Sequence, residues 1–257
     1  MFFPLHDQNN PPVAIVPWLG YALVAVNVAV YLGEQVLELA GVRELLTFIN
    51  TYGLVPHAWL AGSSSFTIAG VPRETVTLDF GPHGPWWTLV TYMFLHAGFL
   101  HIFGNLWFFW IFADNVEERL GRLPFLALYL GTGIAGGLLH ALVASDSTLP
   151  LIGASGAVSG VLGAYVVLYP RHRITSYFCP IWFYIRRWDV PAWIVLGFYI
   201  LLQLLAMRSA ALAESPVAFA CHVGGFLAGC LAALPFRDPA GAAAPAAEPS
   251  APARLPA

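Results

Sequence analysis

The sequence contains no lysine, and only 10% of its 257 residues are charged, against ~25% in an average soluble domain. All eleven basic residues are arginines, set against fourteen acidic ones for a formal charge of -3. They form no dense basic cluster, so no nucleic-acid partner is expected. Cysteine is scarce: Cys179, Cys221 and Cys230 lie in apolar surroundings without a Cys-x-x-Cys pair. They read as small core residues and not as a disulfide framework. Metal-ligand spacing is missing too, because His96 and His101 stand five apart beside an asparagine, a poor match to His-x-x-x-His with added carboxylates. Neither a metal nor any other cofactor is expected. The N-terminus, MFFPLHDQNNPPVAIVPW, lacks the basic n-region of a signal peptide. The apolar run after it is too long to be an h-region alone, so it is expected to stay as a span.

What fills the chain instead is apolar: 58% hydrophobic residues and a mean hydropathy of +0.71. These values indicate an integral membrane protein. Runs of ~20 apolar residues, the length that crosses ~30 Å of hydrocarbon, fall at about 17–39, 88–113, 123–144, 152–169, 191–208 and 216–236. The fold class expected is an all-α membrane protein with six transmembrane helices. Residues 1–16 form a short N-terminal segment, 17–237 the helical domain, and 238–257 a Pro/Ala tail that cannot bury a core and reads as disordered. Between the first two spans, residues 40–87 carry Trp59, Phe66, Phe80, Trp86 and Trp87 among turn residues, as suits a partly structured loop at the membrane interface. Arg119, Arg122, Arg171, Arg173, Arg186, Arg187, Arg237 and Arg254 fall on one side of this topology, and Arg43, Arg73 and Arg208 on the other. The imbalance puts both termini in the cytoplasm. Spans two, four and six then run from outside to inside.

Ionisable groups inside a span are costly and point to function. The second run, WWTLVTYMFLHAGFLHIFGNLWFFWIF, holds His96, His101 and Asn105. His101 and Asn105 share a helix face, and His96 points elsewhere, as a structural hydrogen-bonding residue would. On the residues alone, His101 and Asn105 are equally readable as polar glue between helices or as hydrogen-bond donors in a site. The sixth run, PVAFACHVGGFLAGCLAALPF, places His222 about 9 Å below its outer end. Ser155, in GASGAVSG at the start of the fourth run, reaches a similar depth. A lone serine among glycines is usually a packing residue, but a histidine at the same depth is not explained by packing. Gly156 and Gly160 on one helix and Gly225 and Gly229 on the other make small-xxx-small faces that allow close approach. A neutral imidazole within reach can take the proton that keeps a serine hydroxyl a poor nucleophile. Free backbone N–H groups of the GAS turn, with Asn105 or His101, could hold the oxyanion that follows. No Asp or Glu lies in spans four or six, and Asp146, Asp189 and Glu214 fall in loops. A Ser–His dyad is therefore inferred.

HAGFLHIFGN, EERLG, GASGAVSG and CHVGGFLAG, in this order and on these spans, resemble the rhomboid intramembrane serine proteases over about residues 86–236. The resemblance implies Ser155 as nucleophile and His222 as general base, with His101, Asn105 and the Ser155 backbone N–H as the oxyanion hole. It further implies a six-helix rhomboid-like bundle whose cleft opens to the outer side. The activity implied is cofactor-free cleavage of single-span membrane proteins among membrane lipids, and the expected location is a bacterial inner membrane. EERLG reads as a solvated, salt-bridged turn. Two departures stand out. A Trp-Arg pair common in the family is Trp86–Trp87 here, and a tyrosine that stacks on the histidine in several members is replaced by Ser159. Two other functions compete: a catalytically silent relative that only binds membrane proteins, which would have no need of both Ser155 and His222, and a small transporter, which would usually show repeat symmetry that is not visible here.

Overall fold

The structure, a computed structural model, describes residues 2–8, 12–62, 65–69, 75–80, 84–181, 184–213 and 218–238. The expected tail from residue 239 onward, Arg73 and Glu214 lie outside the described residues. Among the described residues nine helices form: α1 Trp18–Ala40, α2 Val42–Tyr52, α3 Pro56–Ala61, α4 Thr88–Thr91, α5 Phe99–Leu120, α6 Arg122–Val143, α7 Ser155–Leu168, α8 Ala192–Ala213 and α9 Phe219–Ala233. Among the described residues, α1, α6 and α9 with its 3-10 extension to Phe236 are long and apolar enough to cross a membrane. A fourth crossing results if α4 and α5 count as one bent span.

The second apolar run is not one helix. It bends by 97° between Phe94 and Phe99, so His96 sits in the break and His101 and Asn105 lie in the first two turns of α5. Glu34 of α1, only 1% exposed, fixes the break by accepting the His96 backbone N–H at 3.1 and 3.2 Å.

The chain is mostly helical, in line with the all-α expectation, and five strands are added to the helices among the described residues. β1 Phe2–Gln8, β4 Arg173–Ile181 and β5 Tyr184–Pro191 make an antiparallel sheet in the order β1-β4-β5. β2 Ser65–Ala69 and β3 Thr75–Asp79 make a hairpin. The strands of both antiparallel pairs are rich in β-branched and aromatic residues, a strand signal that a search for apolar runs passes over. The segment between α1 and α4 is correspondingly built and not simply a loop. Its Leu54 exchanges two backbone hydrogen bonds with Leu151, at 2.8 and 3.0 Å, and His57 N–H donates to Ser147 O at 3.0 Å. The segment is thereby stapled to the chain just ahead of α7. Trp87 packs against Phe80 beside Val55 and Ala58, and Trp86 meets Trp59 edge-on at 5.1 Å. Apolar contacts thus anchor the stretch where the family pair carries an arginine.

One end of the bundle is gathered by EERLG, and not as a solvated turn. Glu117, fully buried, accepts the backbone N–H of Leu19 at 3.2 Å and of Gly20 at 2.7 Å, placing a carboxylate on the free donors that open α1. Glu118 accepts the Ala14 N–H at 2.6 Å, and Arg119 Nε donates to the Phe236 carbonyl at 2.9 Å. The sheet joins the N-terminal strand to the α7–α8 connection at this same end, where Tyr165 donates its hydroxyl to Asp7 at 2.7 Å.

α7 is the axis of the bundle. Residues Gly156 to Tyr165 are buried without a break, as expected of a helix that is apolar all round and has protein on every side. It is 14 residues long, about 21 Å, and so shorter than the 22-residue α5 and α6 around it. Its tightest neighbour is α9. A methyl group added at Gly225 would run into the Gly156 carbonyl, one at Gly229 into the Gly160 carbonyl, and one at Gly163 into the Phe226 carbonyl. Because lipid supplies no hydrophobic drive between helices, such backbone-to-backbone packing is the cohesive term available.

Candidate active site

The tight α7–α9 crossing carries Ser155 and His222 to each other. Ser155 is the first residue of α7, His222 lies in the first turn of α9, and their Oγ and Nε2 atoms are 2.8 Å apart. Ser155 owes its position to Gly153, whose φ of +118° only glycine adopts without strain. The Gly153 N–H is anchored on the Tyr92 carbonyl at 2.9 Å. The first helical hydrogen bond of α7 runs from Val158 N–H to Ala154 O at 2.9 Å. The N–H groups of Ser155, Gly156 and Ala157 therefore precede the helical ladder and give this end its positive polarity.

His101 and Asn105, one turn apart on α5, converge on the same turn. A Cβ on Gly153 would stand 2.7 Å from His101 Nε2 and 3.6 Å from Asn105 Nδ2, so the missing side chain makes room for both. His101 Nδ1 accepts the Ala97 backbone N–H at 3.3 Å. In the neutral ring the hydrogen then resides on Nε2, the nitrogen aimed at Gly153. Asn105 is 8% exposed, and its Nδ2 has no hydrogen-bond partner among the described residues. A buried amide donor left unpaired costs on the order of 1–3 kcal/mol, and it faces the hydroxyl-bearing turn.

The remaining polar residues divide clearly. His96 donates from its backbone to Glu34, and its ring meets His101 edge-on at 5.2 Å, a supporting position away from Ser155. Ser159, one turn below Ser155, is 1% exposed, and its Oγ lies 2.6 Å from the Tyr199 hydroxyl of α8. Asp189 accepts the Thr175 hydroxyl at 2.7 Å within the sheet, at the far end of the molecule. No carboxylate among the described residues contacts His222. Its Nδ1 instead lies 2.8 Å from Oε1 of Gln203 on α8. Sequence reasoning missed this residue, although an amide in the run AWIVLGFYILLQLL is a polar group inside a span and therefore a signal.

Ser155, His222, His101, Asn105 and Gln203 line a cavity of about 560 Å³, together with His140 of α6, Ser147, Pro150, Phe108 and Tyr199. It is an apolar hollow with a few convergent polar groups, the usual form of a small-molecule or peptide site.

The chain matches the rhomboid domain family over residues 83–239. It is 36% identical to YdcA of Bacillus subtilis over 135 residues, 48% of this chain and 65% of that protein. It is 26% identical to Rhomboid protein 1, mitochondrial, of Saccharomyces cerevisiae over 236 residues, 90% of this chain and 54% of that protein. To Rhomboid protease GluP of Bacillus subtilis it is 40% identical over 90 residues, 34% of this chain and 17% of that protein. The chain thus spans less than two thirds of the length of these relatives. α1 to β3 precede the family match, whereas Ser155, His222, His101 and Asn105 all fall inside it. Kinship and candidate site therefore coincide in one part of the chain, which belongs to the rhomboid family of integral membrane proteins.

Proposed function

We propose that the protein is an intramembrane serine endopeptidase that hydrolyses peptide bonds in or near the transmembrane segments of single-span membrane proteins. The observation that carries this reading is the 2.8 Å contact between Ser155 Oγ and His222 Nε2, beside an unpaired, buried Asn105 amide. His222 Nε2 takes the hydroxyl proton as Ser155 Oγ attacks the scissile carbonyl carbon. The carbonyl oxygen becomes an oxyanion that accepts from the Ser155 N–H, Asn105 Nδ2 and His101 Nε2. Collapse breaks the C–N bond, and the imidazolium delivers its proton to the leaving amine. Water then attacks the acyl carbon and gives one proton to His222; as the C–Oγ ester bond breaks, His222 passes that proton to Ser155 Oγ, and the product acid loses water's other proton to solvent as it leaves as a carboxylate.

On this reading the chain crosses the membrane six times, with α4 and α5 counted as one crossing and α7 and α8 as short spans packed inside or beside the bundle. The segment from α2 to β3 rests at the outer interface, where its aromatic residues are favoured. Both termini lie in the cytoplasm of a bacterial inner membrane, on the side of the eight arginines counted from the sequence. The cleft opens to the opposite side, among membrane lipids.

The test is covalent labelling of the detergent-purified protein with a fluorophosphonate, followed by peptide mapping. Labelling confined to Ser155, and lost in His222→Ala, is the expected result. A label on Ser159, or none on any serine of a protein that cleaves substrate, overturns the assignment.

A further inference from the structure

α8 carries a polar pair, Tyr199 and Gln203, in a stretch that is otherwise apolar from Ala192 to Met207. Tyr199 and Gln203 are four residues apart and so share a face, while Trp193, Phe198, Leu201, Leu202, Leu204 and Leu205 are exposed on the others. The Tyr199 hydroxyl lies 2.6 Å from Ser159 Oγ, and Gln203 Oε1 lies 2.8 Å from His222 Nδ1. The face therefore meets the helix of the nucleophile at one point and the base itself at the other. A glutamine carbonyl oxygen can only accept, so His222 Nδ1 must carry the ring hydrogen and donate it. In the neutral ring this leaves Nε2 unprotonated, with its lone pair 2.8 Å from the Ser155 hydroxyl. The tautomer able to receive the serine proton is the one that Gln203 selects.

We infer that Gln203 is a positioning residue of the hydrolytic site: its amide oxygen holds His222 in the tautomer and ring orientation that accept the Ser155 proton, the place a carboxylate occupies in a Ser-His-Asp triad. The inference rests on the Ser155–His222 reading above and adds a third member to it. An amide does this work without ionising. A carboxylate at the same depth would carry its own desolvation cost, whereas Gln203 is neutral before and after the proton moves. It supplies orientation and gives up the electrostatic help a charged partner lends the imidazolium. The link also makes good the departure at Ser159, where several relatives carry a tyrosine that stacks on the histidine. Here the orienting group comes from α8 and acts on the other ring nitrogen.

The experiment compares Gln203→Ala, Gln203→Met and Gln203→Glu with wild type and Ser155→Ala. It uses the full-length protein in detergent, with fluorophosphonate labelling rates and the kcat and KM of a membrane-protein substrate measured from pH 5 to 9. Gln203→Met keeps the length of the side chain without its acceptor and guards against a packing defect at Ala. The other titratable groups facing His222 across the cavity are His101 of α5 and His140 of α6. A His140→Gln background separates its titration from that of the base. Removing the acceptor is expected to lower kcat and the labelling rate roughly tenfold in both Ala and Met variants, part of the 10²–10⁴ that positioned proton transfer contributes, with KM little changed. Gln203→Glu restores the acceptor. Its rate at pH 8–9 is expected to return toward wild type, while the acid limb of the profile moves to higher pH because a carboxylate beside an imidazole favours the charged ring. A residue that merely docked α8 would leave that limb in place. Folded Ala and Met variants with wild-type kcat and an unmoved acid limb overturn the inference, and so does a Glu variant as slow as Ala at every pH. If Ser155→Ala itself cleaves at the wild-type rate, the underlying dyad falls and the inference with it. If Ser155→Ala is inactive while the Gln203 variants are normal, only the inference falls.

Discussion

α7 and α9 meet through glycine, whereas α8 meets them through side-chain hydroxyl and amide groups, and the two kinds of contact serve different ends. At the first interface, the atoms that would collide with an added methyl are main-chain carbonyls at Gly156, Gly160 and Phe226, which cannot swing aside. The spacing of Ser155 and His222 is therefore set by backbone, the least adjustable part of the molecule. At the second, the hydrogen bonds are Tyr199 to Ser159 and Gln203 to His222, beside a Tyr199–Phe226 ring contact, and much of α8 is exposed. Distance is held by the rigid interface and orientation by the polar one. A site with this division tolerates small shifts of α8 as loss of alignment, but not small shifts of α9.

The largest effect should come from the atoms the glycine interface brings together. Ser155→Ala and His222→Ala are each expected to lower the cleavage rate ~10⁴-fold or more, with the circular-dichroism spectrum and melting temperature of the wild type. Residual cleavage by either variant within tenfold of wild type would remove that residue from the chemistry.

The next tests the rigidity of the interface against the slack of α8. Gly225→Ala places a methyl against the Gly156 carbonyl, while a Cβ at Gly197 on α8 meets nothing within 4 Å. Overpacking costs typically 1–3 kcal/mol, so Gly225→Ala should lower the melting temperature and slow fluorophosphonate labelling together. Gly197→Ala, which removes a residue poor in helix propensity, should leave both unchanged or raise stability slightly. Equal melting temperatures for the two variants would contradict the contrast between the interfaces.

Asn105 stands on a third helix and tests whether alignment also depends on α5. Asn105→Ala is expected to lose ~10-fold or more in kcat, below or within the 10²–10³ for one oxyanion-hole donor, because His101 and the Ser155 N–H remain. Stability should change little, since Asn105 Nδ2 has no partner to lose. A fall in activity matched by an equal fall in folded protein would instead mark it as helix glue.

The smallest effect belongs to the deeper of the two polar links on α8. Ser159→Ala removes the Tyr199 contact one turn below the nucleophile and is expected to keep activity within about threefold, near the ~1 kcal/mol net value of a hydrogen bond. A larger loss in kcat would mean that α8 aligns the site through both links and not through Gln203 alone.

What could be read beforehand follows the same division. Ser155, His222, His101 and Asn105 stand within short, spaced motifs, and helix periodicity carries such residues to one depth and one face. Gln203 does not advertise itself in this way, because an amide among leucines gives the same signal whether it docks a helix or touches a base. The break at His96 was hidden by a run of apolar residues from 88 to 113, longer than one crossing needs. Glu34 and Glu117 escaped for a related reason. Charges near the ends of a span read as solvated, whereas here both are buried and accept backbone N–H groups. The sheet β1-β4-β5 joins segments that are 165 residues apart and more, and no local pattern announces such a pairing.

Those two carboxylates have a consequence for how the molecule meets membranes of different thickness. Glu117 grips α1 at Gly20, and α1 grips the turn before α5 through Glu34, about 21 Å further along its axis. α1 and α5 are thus pinned to each other at both ends, and α7 between the two levels is about the same length. The depth of Ser155 is measured against the protein's own frame and not against the lipid. A thicker bilayer must thin around so rigid a gauge, and the mouth of the cavity keeps its distance from the serine when the acyl chains around it lengthen.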